Sequence, residues 1–460
     1  MDRTKYLDSL RGIAAVIVAF DRVFLNDLNL AFRSYWTEPA SKNRVWLQLP
    51  PFRIVFAAHA MVTLFFVISG YVISINLLRV RQCQQQDFIN QVASSATRRV
   101  FRLFLPVLVI ASLSQILFWA NLYTFTSVEI KQFIAENKIR PWSAPGDHLA
   151  YLFRYMTDII NPFGALQPKD ANHGLNEQFW TMPAEFRGSC LVYFLVVVMS
   201  PWRAQTRLIV LGGLAVYFLW SGMWDVATFI AGLWLAELKI NEEAENGYTY
   251  SHHYPDLEDD SDVSTTSSLS SILSSWSGAF SSDSKMTRQL LTPVSITNLI
   301  LFALGIHLMC LPSGSTEVND GHLTTGYRTL LLLQPSTWKN WDVVHYSWKS
   351  VGSVLVIYAI NSSPRWLFRR PLETSRTLRY LGRISFPMYL IQQIVYSLWR
   401  ESVKNWIWKD LTGYEYPGGQ LAGREPFARF VMWMGTTMIL GPVLVYLSEE
   451  AGREVERWLM

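Results

Sequence analysis

The sequence predicts an all-α fold, a polytopic transmembrane helix bundle of about ten spans, and three observations predict it. Only 17% of the residues are charged and 50% are hydrophobic, where a soluble domain carries roughly a quarter charged residues. The apolar residues gather into blocks of roughly 18–24, the length a helix needs to cross the hydrocarbon core. Lys and Arg fall between the blocks, so the formal net charge of +4 reflects membrane topology and not a nucleic-acid surface.

Taken in order, the blocks lie near 8–30, 56–78, 100–121, 184–200, 206–223, 225–239, 293–312, 343–361, 378–399 and 428–448, about ten in all. Gly222, Met223 and Trp224 alone separate the fifth from the sixth, which predicts a tight helical hairpin. If Arg3, Lys5 and Arg11 are cytoplasmic, alternation puts Arg79, Arg81, Arg98, Arg99, Arg102, Arg203, Arg207 and the arginines from Arg365 to Arg383 on the same side, as the positive-inside rule expects. Both termini are then cytoplasmic, and the first span is an uncleaved anchor, because no small-residue cleavage pattern follows it. An endomembrane such as the endoplasmic reticulum is the expected location.

One stretch is foreign in composition. From about Glu242 to Arg288 an acidic run, Asp256-Leu257-Glu258-Asp259-Asp260, leads into a tract dominated by serine, with too little apolar surface to bury. It divides the chain into a first membrane part (1–240), a disordered cytoplasmic loop (241–290) and a second membrane part (291–460). The three cysteines, Cys83, Cys190 and Cys310, have neither metal-ligand spacing nor the even count of a disulfide framework, and no metal site is expected. The sequon Asn361-Ser362-Ser363 falls at the predicted cytoplasmic end of a span and is expected to stay unmodified.

Ionisable side chains inside spans are costly and mark candidate sites. Arg11 and Arg22 are eleven residues apart, so they share a helical face within about 20° at heights about 16 Å apart. Two readings stand for that end of the span: a functional cation with Asp21 beside it, or an Arg22 that snorkels to the interface and pairs with Asp21. Arg98 and Arg102 are one turn apart and, with Arg99, have the spacing to grip the phosphates of a nucleotide-bearing acyl donor. Positive-inside anchoring explains the same arginines. Glu185 enters a span beside Pro183, where a carboxylate serves either as a general base or as the partner of Arg187 or another cation. His59 has no metal-ligand partner at helical spacing, and the other histidines offer nothing sharper.

Several ordered pieces resemble the acyltransferase type 3 family of multi-span membrane proteins, its fungal members above all. They are Leu7-Asp8-Ser9-Leu10-Arg11-Gly12-Ile13-Ala14-Ala15, then Phe65-Phe66-Val67-Ile68-Ser69-Gly70-Tyr71, then Arg98-Arg99 through Pro106. Phe179-Trp180 through Ser189 follows, and Leu381-Gly382-Arg383-Ile384-Ser385-Phe386 through Tyr389-Leu390 closes the set. The resemblance implies transfer of an acyl group from acyl-CoA, a donor substrate and not a bound cofactor, to a hydroxyl or amine of a sugar, lipid or small metabolite. In that picture Arg11, Arg98, Arg99 and Arg102 hold the donor's phosphates and Glu185 lines the catalytic cavity; Arg22, on the same helical face as Arg11, is a further candidate for binding substrate. Membrane lipid, acyl-CoA and a small hydroxylated acceptor are the expected partners, with no nucleic acid. Tailoring of a fungal secondary metabolite is the implied setting.

The chain departs from the family pattern twice. A histidine taken as the base usually stands eleven residues after the first-motif arginine, and here that residue is Arg22. A second histidine commonly follows the late Tyr-Leu-Ile, and here it is Gln392. Neither replacement accepts a proton. Glu185, Asp21 or His59 is left to act as base; otherwise the chain has kept the fold and become a non-catalytic donor-binding or transport-like protein.

Overall fold

A computed structural model describes residues 5–24, 35–36, 44–83, 87–124, 139–161, 175–245, 293–312, 327–417 and 425–459. Twelve helices of eight residues or more carry the described fold: α1 (Lys5–Phe24), α2 (Ala58–Cys83), α3 (Phe88–Trp119), α4 (Pro145–Ile160), α5 (Thr181–Val198), α6 (Ala204–Trp220), α7 (Trp224–Glu245), α8 (Pro293–Met309), α9 (Trp341–Ser362), α10 (Arg376–Arg383), α11 (Ser385–Thr412) and α12 (Pro426–Leu459). Each of the ten predicted spans coincides with at least one of them. Five stretches, in α2, α3, α5 with the turn before it, α9 and α12, are long and apolar enough to cross a bilayer. The protein is a polytopic membrane bundle. The predicted serine-rich loop lies almost wholly outside the described residues.

Burial sorts the helices into centre and rim. In α2, 83% of the most apolar window is buried within the protein, against 22% in α12. Phe427, Phe430, Met438 and Tyr446 of α12 are exposed, as a lipid-facing surface requires. The core of the bundle is α2 against α7, where backbones touch. A Cβ on Gly70 would come 2.4 Å from the Phe229 carbonyl oxygen, and one on Gly232 would come 2.4 Å from that of Val67. Where lipid offers no hydrophobic drive between helices, such close approach supplies the packing. Arg81 and Arg207 both donate to Glu237, at 2.8 and 2.9 Å, and tie α2, α6 and α7 at one end.

Two features depart from the predicted pattern. The span read near 378–399 breaks at Ile384 into α10 and α11. Ser375 caps α10 by accepting from the Leu378 amide at 3.3 Å, and the helix then lies on α1. A Cβ on Gly382 would sit 2.1 Å from the Asp8 carbonyl oxygen, so only glycine permits that contact. The stretch between α3 and α5 also holds α4, whose buried face carries His148, Tyr151 and Tyr155. Arg369 caps the end of α9 through the carbonyls of Ile360, Asn361 and Ser363, at 3.1, 2.7 and 3.0 Å. Asn361 is buried there and accepts from the Tyr6 hydroxyl, which shields the sequon.

Candidate active site

Two polar layers cross the bundle at the heights set by Arg11 and Arg22 on α1. The lower one joins four helices. Glu185, one turn into α5, accepts hydrogen bonds on Oε1 from the Ser69 hydroxyl of α2 at 2.7 Å and from the Arg99 guanidinium of α3. Arg99 also donates from Nε to Ser189 Oγ at 2.7 Å, and Ser189 donates back to the Glu185 carbonyl at 2.6 Å. Arg11 lies 3.8 Å from Asp8 and close enough to Arg99 and Glu185 for their charges to interact. One guanidinium, that of Arg99, therefore binds the Glu185 carboxylate directly, and a second, paired with Asp8, stands nearby. A cleft of about 40 Å³ opens beside Arg99 between α3 and α5, bounded by Leu103, Phe186, Ser189 and Tyr193.

Helical phase explains which arginine enters that layer. Arg98 and Arg102 share one face of α3 and are exposed, while Arg99 is turned about 100° away and half-buried. The alternative partner for Glu185, Arg187, pairs instead with Asp225 of α7. Glu185 is thus ion-paired and doubly hydrogen-bonded on one oxygen, a geometry that suits holding Arg99 in place.

The upper layer is built by α1, α2, α9 and the 3-10 turn Glu177–Trp180 that leads into α5. Arg22 pairs with Glu177, not with Asp21, which has no ion pair or hydrogen bond among the described residues. His59, in the first turn of α2, is exposed, yet its ring lies 5.6 Å from that of His345 and 5.4 Å from that of Tyr346. Neither of its ring nitrogens has a hydrogen-bond partner among the described residues. Behind it, α9 presents Asp342, His345 and Lys349 on one face, at the i, i+3 and i+7 positions. Asp342 Oδ1 lies 3.5 Å from His345 Nε2, and Lys349 Nζ lies 3.4 Å from His345 Nδ1. Lys349 and His345 are 1% and 2% exposed; they support the site from within.

Local bonds fix this layer. Thr63 Oγ1 meets Ser353 Oγ at 2.8 Å and joins α2 to α9. Gln178 donates to the Leu390 carbonyl at 2.9 Å, and Tyr389 donates to the Gln178 carbonyl at 2.7 Å, so the 3-10 turn is clamped onto α11. Gln392, where the family pattern has its second histidine, is buried, and neither of its amide atoms has a hydrogen-bond partner among the described residues.

The fold brings Arg11, Arg99 and Glu185 together and sets Asp21, Arg22 and His59 in a separate layer about 16 Å away along α1. Arg98 and Arg102 stay on the rim. Sequence reasoning missed Ser69, Glu177, His345 and Lys349. His345 and Lys349 carried a usable signal, since both are ionisable and lie inside the block near 343–361. Glu177 carried none, because it precedes the predicted span.

Comparison with known proteins agrees with this architecture. Residues 4–447 match the acyltransferase domain family. The chain is similar to Acyltransferase clz18 of Cochliobolus lunatus, with 24% identity over 90% of this chain and 86% of that one. It is also similar to O-acetyltransferase PaAT-1 of Phomopsis amygdali, with 23% identity over 84% of this chain and 71% of that one. No solved structure matches it. With the family match running through both polar layers and nearly every described helix, the chain belongs to the acyltransferase 3 family of membrane acyltransferases.

Proposed function

We propose that this protein transfers a short acyl group, acetyl in the first instance, from acyl-CoA to a hydroxyl of a small metabolite, sugar or lipid, with His59 as the general base. The observation that carries the proposal is the exposed imidazole of His59, which has no hydrogen-bond partner among the described residues and stands against the rings of His345 and Tyr346. A neutral imidazole can take a proton on one ring nitrogen and return it in the next step. Glu185 is committed to Arg99 and Ser69. Asp21 shares the upper layer with Arg22 and Lys349.

The chemistry balances without a further reactant. The acceptor hydroxyl oxygen attacks the thioester carbonyl carbon while His59 takes its proton; the C–S bond breaks, and the proton passes to the departing thiolate. Arg98 and Arg102 hold the donor's phosphates at the cytoplasmic rim, and the pantetheine arm runs past the cationic lower layer to the upper one. Both termini are cytoplasmic in this arrangement, the membrane is an endomembrane such as the endoplasmic reticulum, and the setting is tailoring of a fungal secondary metabolite.

Membranes incubated with radiolabelled acetyl-CoA and hydroxylated acceptors test the proposal. Exchanging both Arg98 and Arg102 for alanine should raise KM for the donor roughly tenfold or more, the equivalent of losing one charge-assisted contact, with kcat changed less. Equal kinetics in wild type and that variant would remove the donor site from α3. The loss of both family histidines favours one other reading, a donor-binding or transport-like relative without turnover. Acyl-CoA binding with no labelled product would support it.

A further inference from the structure

We infer that Trp180 is a specificity-determining wall of the acceptor site, and that the acceptor carries its hydroxyl on a rigid ring and not on a flexible chain. This rests on the reading of His59 as the base. Four aromatic rings, those of Trp224, His59, Trp180 and the buried His345, meet around Tyr346. Trp224 stacks on it at 4.2 Å with the planes 7° apart. His59 comes edge-on at 5.4 Å and 83°, and Trp180 comes at 5.9 Å and 65°. Tyr346 and Trp224 are each 4% exposed, so they form a fixed floor that no ligand enters. His59 is exposed and Trp180 is partly exposed. The two rings of this cluster that reach open space are thus the imidazole of the proposed base and one indole, both seated on the same buried phenol.

The indole is held ready before any ligand arrives. Trp180 ends the turn that Glu177 anchors to Arg22, that Gln178 anchors to the Leu390 carbonyl, and that Thr181 follows with a 2.9 Å contact to the Tyr389 hydroxyl. A wall fixed on three sides loses little freedom on binding, and this favours a partner that is itself rigid. An aromatic face rewards a ring laid against it with more than buried area alone, whereas a flexible chain must first be ordered. Membrane-interface anchoring does not account for Trp180, because its ring packs inward against Trp224 and Tyr346.

The test uses the full-length protein in membranes with saturating acetyl-CoA and three seven-carbon alcohols: phenylmethanol, cyclohexylmethanol and 1-heptanol. Wild type should favour the two ring alcohols over 1-heptanol by roughly tenfold in kcat/KM. Trp180→Leu should bring the ring alcohols down to the level of 1-heptanol, and Trp180→Phe should keep most of the preference. The inference is overturned if wild type treats the three alcohols alike, or if Trp180→Leu lowers all three by one factor, which is the signature of a merely structural residue. Absence of label in all three with wild type would instead remove the acyl-transfer reading on which the inference stands.

Discussion

Alanine at position 59 should lower the turnover of acyl transfer by about two to four orders of magnitude, the range that general-base assistance supplies, while KM for acyl-CoA changes little. The donor's phosphates are assigned to Arg98 and Arg102 on α3, far along the bundle from α2's first turn, so donor affinity and proton transfer are separable. Stability should survive the change. His59 makes no hydrogen bond among the described residues, and its ring contacts with His345 and Tyr346 are worth about 0.5–1.5 kcal/mol each at most. Steady-state kinetics with purified protein, alongside a thermal melt, check both halves. Unchanged turnover in a folded variant would move the base to Asp21 or out of this layer.

The second large effect runs against what the family pattern suggests. Histidine placed at position 22 restores the residue expected eleven positions after Arg11, and a reading of the motif alone forecasts a gain of activity. The structure forecasts a loss of stability of about 1–3 kcal/mol, the cost of leaving a partly buried polar group without its partner. Arg22 is the cation that Glu177 faces, and the other carboxylate oxygen of Glu177 is buried without a hydrogen bond among the described residues. The shorter imidazole leaves that carboxylate stranded. Adding Glu177→Gln to Arg22→His should recover most of the loss, because a neutral amide is far cheaper to bury than an unpaired charge. Melting temperatures of the single and double variants in detergent decide the matter, and equal melting of wild type and Arg22→His would show that the pair is not a stabilising contact.

The spans were legible because bilayer thickness writes itself into sequence: each apolar block near the expected length coincides with a helix, down to the hairpin at Gly222, where φ is +82°. The break at Ile384 was not legible. It follows from α10 lying on α1 through Gly12 and Gly382, a contact between residues 370 positions apart that no local pattern encodes. In the lower layer, the motifs supplied Arg11, Arg99 and Glu185, but not the fact that Arg99 alone of its cluster turns inward, nor that Ser69 completes the site. For the upper layer the first motif supplied Arg22 and no histidine. It directed attention to the missing histidine at Arg22, while the imidazoles that occupy the layer come from α2 and α9, brought together by Thr63 and Ser353. Side chains from helices nearly 300 residues apart in the chain meet there, and only tertiary packing reports it.

The central claim is that an imidazole standing at position 59 moves the proton during transfer, and chemical rescue tests it most directly. The His59→Ala variant should regain turnover in proportion to added imidazole, up to saturation, because the ring removed is exposed and leaves a route for a free one. Glu185→Gln should show no such dependence. A His59→Ala protein that is folded, binds acyl-CoA and stays inert at every imidazole concentration, or one that never lost activity, would contradict the account.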